Sequence, residues 1–170
     1  AALMVFSVFA GTVAFSGSVA AQSVSDGSVT PNTVTEQTTN DHEVEVNITD
    51  IDTSGGSLTH NLTVNLPEQL RGVSTISGLA VGSSSGAVSH DGGSSPYVNA
   101  TAAGDNNITV TINDGAGGQA SDNVNISFTV DSVDAPAVSG DFSGDASVAV
   151  DALDDGTTDA SGTIETLTIE

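Results

Sequence analysis

Residues 122–130, DNVNISFTV, alternate without a break. Val124, Ile126, Phe128 and Val130 fall on one parity, and Asn123, Asn125, Ser127 and Thr129 on the other. Successive side chains of a strand point to opposite faces, so this stretch reads as a strand with one apolar and one polar face. The polar parity also spells Asn125-Ile126-Ser127, an N-glycosylation acceptor triplet.

The same alternation recurs on both sides of it. HEVEVNITDI (42–51) sets Val44, Val46 and Ile48 on one parity. LTHNLTVNL (58–66) does so with Leu58, Leu62, Val64 and Leu66, His60 sharing their side. NNITVTIND (106–114) aligns Ile108, Val110 and Ile112. GVSTISGLAVG (72–82), YVNATAA (97–103), ASVAVDAL (146–153) and GTIETLTIE (162–170) are weaker strands. In the last of these Leu167 and Ile169 share a parity that Ile164 does not, which predicts a bulge or a late strand start. Gly-, Asp- and Ser-rich turns separate the runs, among them DTSGGS (52–57), SHDGGSSP (89–96), DGAGGQASD (114–122) and LDDGTTD (153–159). No helical stripe occurs beyond residue 21. The pattern predicts an all-β fold, an antiparallel Ig-like β-sandwich over 42–170, with no second domain.

Two segments precede it. Residues 22–41 are polar and read as a leader with an edge strand near Ser28–Thr35. Residues 1–21 carry no charge: Ala1–Phe15 is an apolar run, and Ser16–Ala21 is built mostly of small residues. That is the pattern of a signal peptide before its cleavage site, in a chain that begins inside its precursor. If retained, the segment is an N-terminal apolar helix of the length that spans a bilayer or lines a fibre core.

Composition narrows the partners. The 170 residues include 22 acidic side chains, one Arg (Arg71), no Lys and no Cys, for a formal net charge of −21. Phosphate neutralisation needs Lys and Arg, so nucleic acid is excluded, and direct binding to anionic lipid fails for the same reason. Disulfides and thiolate chemistry are excluded. One cation cannot offset the carboxylates, so their repulsion must be screened. The screening length falls from about 8 Å at physiological salt to about 3 Å at 1 M, so the chain suits concentrated salt.

Five acceptor triplets occur, at Asn47, Asn61, Asn99, Asn107 and Asn125. Eleven Asn in a chain about one quarter Ser and Thr give roughly three by chance, so placement matters more than number. In each triplet the middle residue is apolar and on the inward parity. The Asn and the hydroxyl residue then share the outward face.

Other motifs carry less. GSSSG (82–86) matches a nucleophile elbow, but that motif needs a helix to follow, and AVSHDGGSSP cannot supply one. GAGGQA (115–120) matches a dinucleotide fingerprint, yet a strand follows it, so it reads as a hairpin loop. No catalytic residues are assigned, and an enzyme is not expected. His42, His60 and His90 are not expected to form a metal site; His42 and His60, with inward parity at strand starts, suit partly buried rim positions. Asp50 and Asp52 share a strand end. Asp151, Asp154, Asp155 and Asp159 surround Gly156 and form a weak candidate calcium site, although a twelve-residue EF-hand count from Asp151 places Gly162 where Glu belongs. No other cofactor is implied.

AALMVFSVFAGTVAFSGSVAAQ (1–22) resembles the signal peptide of haloarchaeal surface glycoproteins, the S-layer-type proteins. VTPNTVTEQTTNDHEVEVNITDIDTSGG (29–56) is similar to the opening of an extracellular β-domain common in such proteins. The resemblance implies an archaeal, halophilic, secreted protein at the cell surface. The family adds a Thr-rich stalk, a Pro-Gly-Phe sorting motif and a C-terminal membrane helix, none of which appears in these residues. The expected function is a salt-adapted cell-surface glycoprotein with a structural or adhesive role in the envelope. Its expected partners are N-linked glycan, other envelope proteins and copies of itself. A pilus-like filament subunit and a calcium- or carbohydrate-binding adhesin module are the alternatives.

Overall fold

The computed structural model describes residues 22–67, 69–70, 75–90, 97–99, 106–152 and 154–170, with the backbone alone at 97–99. The N-terminal helix expected over 1–21 lies outside the described residues, as does Arg71.

The described residues form eleven strands: β1 (Ser23–Thr30), β2 (Thr33–Val34), β3 (Thr39–Ile51), β4 (Thr59–Asn65), β5 (Thr75–Ser83), β6 (Val88–His90), β7 (Tyr97–Asn99), β8 (Asn107–Asp114), β9 (Asp122–Asp134), β10 (Phe142–Asp151) and β11 (Ala160–Ile169). They form a sandwich of two sheets. One has the order β1-β3-β9-β5; the other runs β2-β11-β10-β4-β8-β6, with β7 also paired to β8. All pairings are antiparallel except β2 with β11, which is parallel. Successive strands mostly change sheet, so no strand of the four-stranded sheet lies beside a sequence neighbour.

The alternation seen in the sequence places the core. Val44, Val46 and Ile48 of β3, Leu62 and Val64 of β4, Ile108, Val110 and Ile112 of β8, and Val124, Ile126, Phe128 and Val130 of β9 are all buried between the sheets. Burying each such aliphatic side chain stabilises the fold by about 1.5–3 kcal/mol. Among the described residues Phe128 is the one fully buried phenyl ring, and the core is mainly Val, Ile and Leu.

Bulges adjust the parity at several places among the described residues, β11 and β9 included. On β11 the register shifts where Ala146 faces Glu165 and Ser147 faces Thr163, leaving Ile164 as the extra residue. Ile164 therefore turns inward along with Leu167, and it packs on β1: a Cβ at Gly27 would lie 2.6 Å from its Cγ2. On β9, Ser132 adopts φ 57°, and both Val130 and Val133 face the core.

Residues 22–41 belong to the sandwich. β1 is the edge of one sheet and β2 the edge of the other, with the cis Thr30–Pro31 bond between them. Val29 and Val34 are buried. GAGGQA is not a hairpin loop: it carries the chain from β8 in one sheet to β9 in the other. Its glycines allow close approach. A Cβ at Gly115 would meet the Ala87 carbonyl oxygen at 2.5 Å, and one at Gly118 would meet that of Thr53 at 1.8 Å.

Candidate functional site

The outward faces carry the acceptor triplets. Ile48, Leu62, Ile108 and Ile126, the middle residues of four of them, are fully buried. Asn47, Asn61 and Asn107 are half-exposed and Asn125 is exposed. These four lie on β3, β4, β8 and β9, strands that are paired on both edges. Asn99 lies on β7, whose backbone pairs it with Asn107; its side chain and Thr101 are outside the described residues.

On the four-stranded sheet Asn47 stands directly opposite Asn125, and Asn125 Nδ2 donates to Asn47 Oδ1 at 2.8 Å. The next strand along that row presents Gly82. An open groove of about 650 Å³ follows, lined by Asn47, Asn125, Gly82, Thr49, Asn123 and Ser84 among others. The other sheet bears a grid of hydroxyls and amides. Thr63 and Thr109 hydroxyls lie 3.3 Å apart, and Thr111 donates to Asn61 Oδ1 at 2.8 Å. Asn61 Nδ2 in turn donates to Asp154.

The four aspartates of the candidate calcium site do not converge. Asp151 accepts from the backbone N–H groups of Asp155 (3.1 Å) and Gly156 (2.9 Å). Asp155 accepts from Thr157 N–H, and Asp159 from Ala152 N–H. These three cap their own loop, which turns on the left-handed residues Asp154 and Gly156, while Asp154 accepts from Asn61. Asp50 accepts from Ser121, whereas Asp52 is held below the usual carboxylate range by the hydroxyl and N–H of Ser54. Among the described residues no three His, Asp or Glu side chains are grouped to hold a metal ion.

Residues 22–67, 69–70, 75–90, 97–99, 106–152 and 154–170 contain neither Lys nor Arg, so neutral donors serve the carboxylates instead. Thr39 donates to Asp134, Ser77 to Asp131 and Thr166 to Asp145, each at 2.8 Å. Asp122 is the most enclosed case. Burial pushes its carboxyl up, but the hydroxyls of Ser85 and Thr53 and the N–H groups of Ser85 and Asn123 outweigh that and hold it below the usual range. Ser85 of GSSSG thus serves as a brace between the β5–β6 turn and β9.

His60 and His42 are interior rather than rim residues. His60 Nε2 donates to Asp114 Oδ1 at 2.9 Å within the core. His42 Nδ1 donates to the Pro31 carbonyl at 2.9 Å, and burial lowers the imidazole pKa despite that bond and the nearby Asp41. His90 is exposed on β6.

No protein-family model matches the chain, and no curated protein does. Among solved structures, the major pilin subunit of Bacillus cereus aligns with a TM-score of 0.44 and 10% identity over 85% of this chain and 39% of that one. A non-cellulosomal cohesin from the hyperthermophilic archaeon Archaeoglobus fulgidus aligns with a TM-score of 0.40 and 17% identity over 85% of this chain and 91% of that one. A C-terminal fragment of the major pilin of Streptococcus agalactiae gives 0.40 and 8% over 88% and 56%. The chain spans less than two thirds of either pilin chain.

Sequence reading finds the acceptor Asn residues but not their partners. That Asn47 faces Asn125, and Asn99 faces Asn107, depends on strand register across 78 and 8 residues. Gly82 reads in sequence as the end of a strand, and β5 ends one residue beyond it, at Ser83.

Proposed function

We propose that the protein is a secreted, salt-adapted glycoprotein of the cell surface, with a structural or adhesive role as an Ig-like module of the envelope. It is non-catalytic. One observation carries this reading: in four acceptor triplets the central residue is a fully buried core residue while Asn and its hydroxyl partner face outward on inner strands. The sandwich thereby holds acceptor groups on both of its outer faces, away from its own packing. The absence of Lys and the 22 carboxylates support a saline exterior. Site-resolved mass spectrometry of protein isolated from cells tests the reading. Glycan on at least one of Asn47, Asn61, Asn99, Asn107 and Asn125 is the expected result, and five bare sites overturn it.

A second reading, a filament subunit, is favoured by the uncharged apolar run Ala1–Phe15. N-terminal sequencing of the isolated protein separates the two. A start near Gln22 supports the surface module; retention of residues 1–21 supports the filament.

A further inference from the structure

Gly82 has no evident structural reason to be glycine. Its backbone is not left-handed, and a Cβ added there would meet nothing within 4 Å. Glycine in a strand costs stability, and it marks a bulge, a tight bend or a place that something approaches closely; the pairing of β5 with β9 is regular from Ala80 to Ser83, near the strand's end, so no bulge accounts for Gly82. What lies beside it is Asn125. Across the row run Gly82, Asn125 and Asn47, with Asp26 of β1 paired to Asn47 on the far side. The groove over Gly82, about 650 Å³, is within the range of small-ligand sites. Thr49, Ser84, Asn123 and Asp26 also line it, the Thr49 hydroxyl already bonded to that of Ser23 at 2.8 Å. At Gly82 itself no side chain obstructs a ring.

We infer that Asn125 carries an N-linked glycan whose first sugars lie in this groove over Gly82, and that Asn47 stays unmodified as the residue that positions the Asn125 amide. This rests on the glycoprotein reading above. The positioning bond is compatible with attachment. An amide has two N–H groups; one of those on Asn125 donates to Asn47 Oδ1, and the other is the one replaced by the sugar. Two glycans are not compatible. Directly opposed residues have Cβ atoms about 4.5–5.5 Å apart, and a pyranose ring with its hydroxyls is at least that wide. Asn125 is the more exposed of the pair and the one next to Gly82, so it takes the sugar.

Glycopeptide and intact-mass spectrometry of the folded protein from its native host is the first test. Asn125 should be occupied and Asn47 bare on the same molecules. Ser127→Ala, which destroys the triplet and keeps the Asn125 side chain, should raise Asn47 occupancy severalfold among folded molecules. Molecules bearing both glycans at the frequency of independent sites, or glycan on Asn47 with Asn125 bare in the unaltered protein, overturn the inference while leaving the glycoprotein reading intact; five bare sites overturn both. The second test compares glycosylated and unglycosylated protein by thermal unfolding. Contact in the groove should raise Tm of the unaltered chain by about 3 °C, and Gly82→Val, which fills the floor, should remove that gain while the unglycosylated variant still unfolds cooperatively. An equal gain in both backgrounds, or none in either, overturns the seat.

Discussion

Gly118 approaches Thr53 so closely that a Cβ at 118 would lie 1.8 Å from the Thr53 carbonyl oxygen. The contact is reinforced from both sides: Thr53 N–H donates to the Gln119 carbonyl at 2.8 Å, and Gln119 N–H donates to the Thr53 hydroxyl at 3.0 Å. Backbone faces backbone here, so no flexible side chain can yield. Gly118→Ala should therefore destabilise the fold by about 1–3 kcal/mol, seen as a lower urea midpoint. Gly82→Ala, where nothing is within 4 Å, is the control and should raise the midpoint slightly, by the equivalent of about 0.4–1 kcal/mol.

Asp122 ties acid stability to the same end of the sandwich. Its folded pKa lies below the unfolded value of about 3.9. The unfolded chain thus binds the proton first, and the contribution of Asp122 is complete above about pH 4 and is lost as pH falls through its folded value. Asp122→Asn should lower stability at pH 7 by about 1–3 kcal/mol and should flatten the decline below pH 4. Denaturant titrations at fixed high salt, repeated across pH, measure both.

The hydroxyl and amide donors satisfy hydrogen bonds but bring no positive charge, so the mutual repulsion of the carboxylates persists in the folded state. Raising NaCl from 0.15 M to 3 M should raise Tm by roughly 10 °C, the equivalent of about 3 kcal/mol. A flat response to NaCl with a large response to sulfate would instead identify strengthened apolar burial as the cause.

At the β10–β11 loop the carboxylates are already engaged with N–H groups. Asp151→Ala removes two such bonds and should cost about 1 kcal/mol. Millimolar Ca²⁺ should leave the Tm of the unaltered protein unchanged at constant ionic strength. A rise that Asp151→Ala abolishes would restore the calcium-binding alternative.

The two faces of each strand were legible because parity is a local property. Val124, Ile126 and Phe128 face inward wherever β9 sits, and the acceptor Asn residues follow from them. What pairs with what is set at long range. Nothing within DNVNISFTV indicates that Asn47 will stand opposite Asn125, or that Gly82 will flank it. The bulge at Ile164 left a trace, because the apolar parity changes between Ile164 and Leu167. The glycines of 115–118 read as a hairpin loop. Their role comes from Ala87 and Thr53, which the topology brings against them, so the local sequence pointed to a hairpin where the chain changes sheets.

The parallel pairing of β2 with β11 has a mechanical consequence. Asn32 and Val34 carbonyls accept from the N–H groups of Thr168 and Glu170, and the Glu170 carbonyl accepts from Glu36 N–H. Tension entering ahead of β1 and leaving beyond β11 would pull these two parallel segments in opposite directions along their own length. The three bonds would be loaded in shear, all at once, rather than peeled apart singly. The junction between an early segment and the final strand is thus the part of this sandwich arranged to bear a pull.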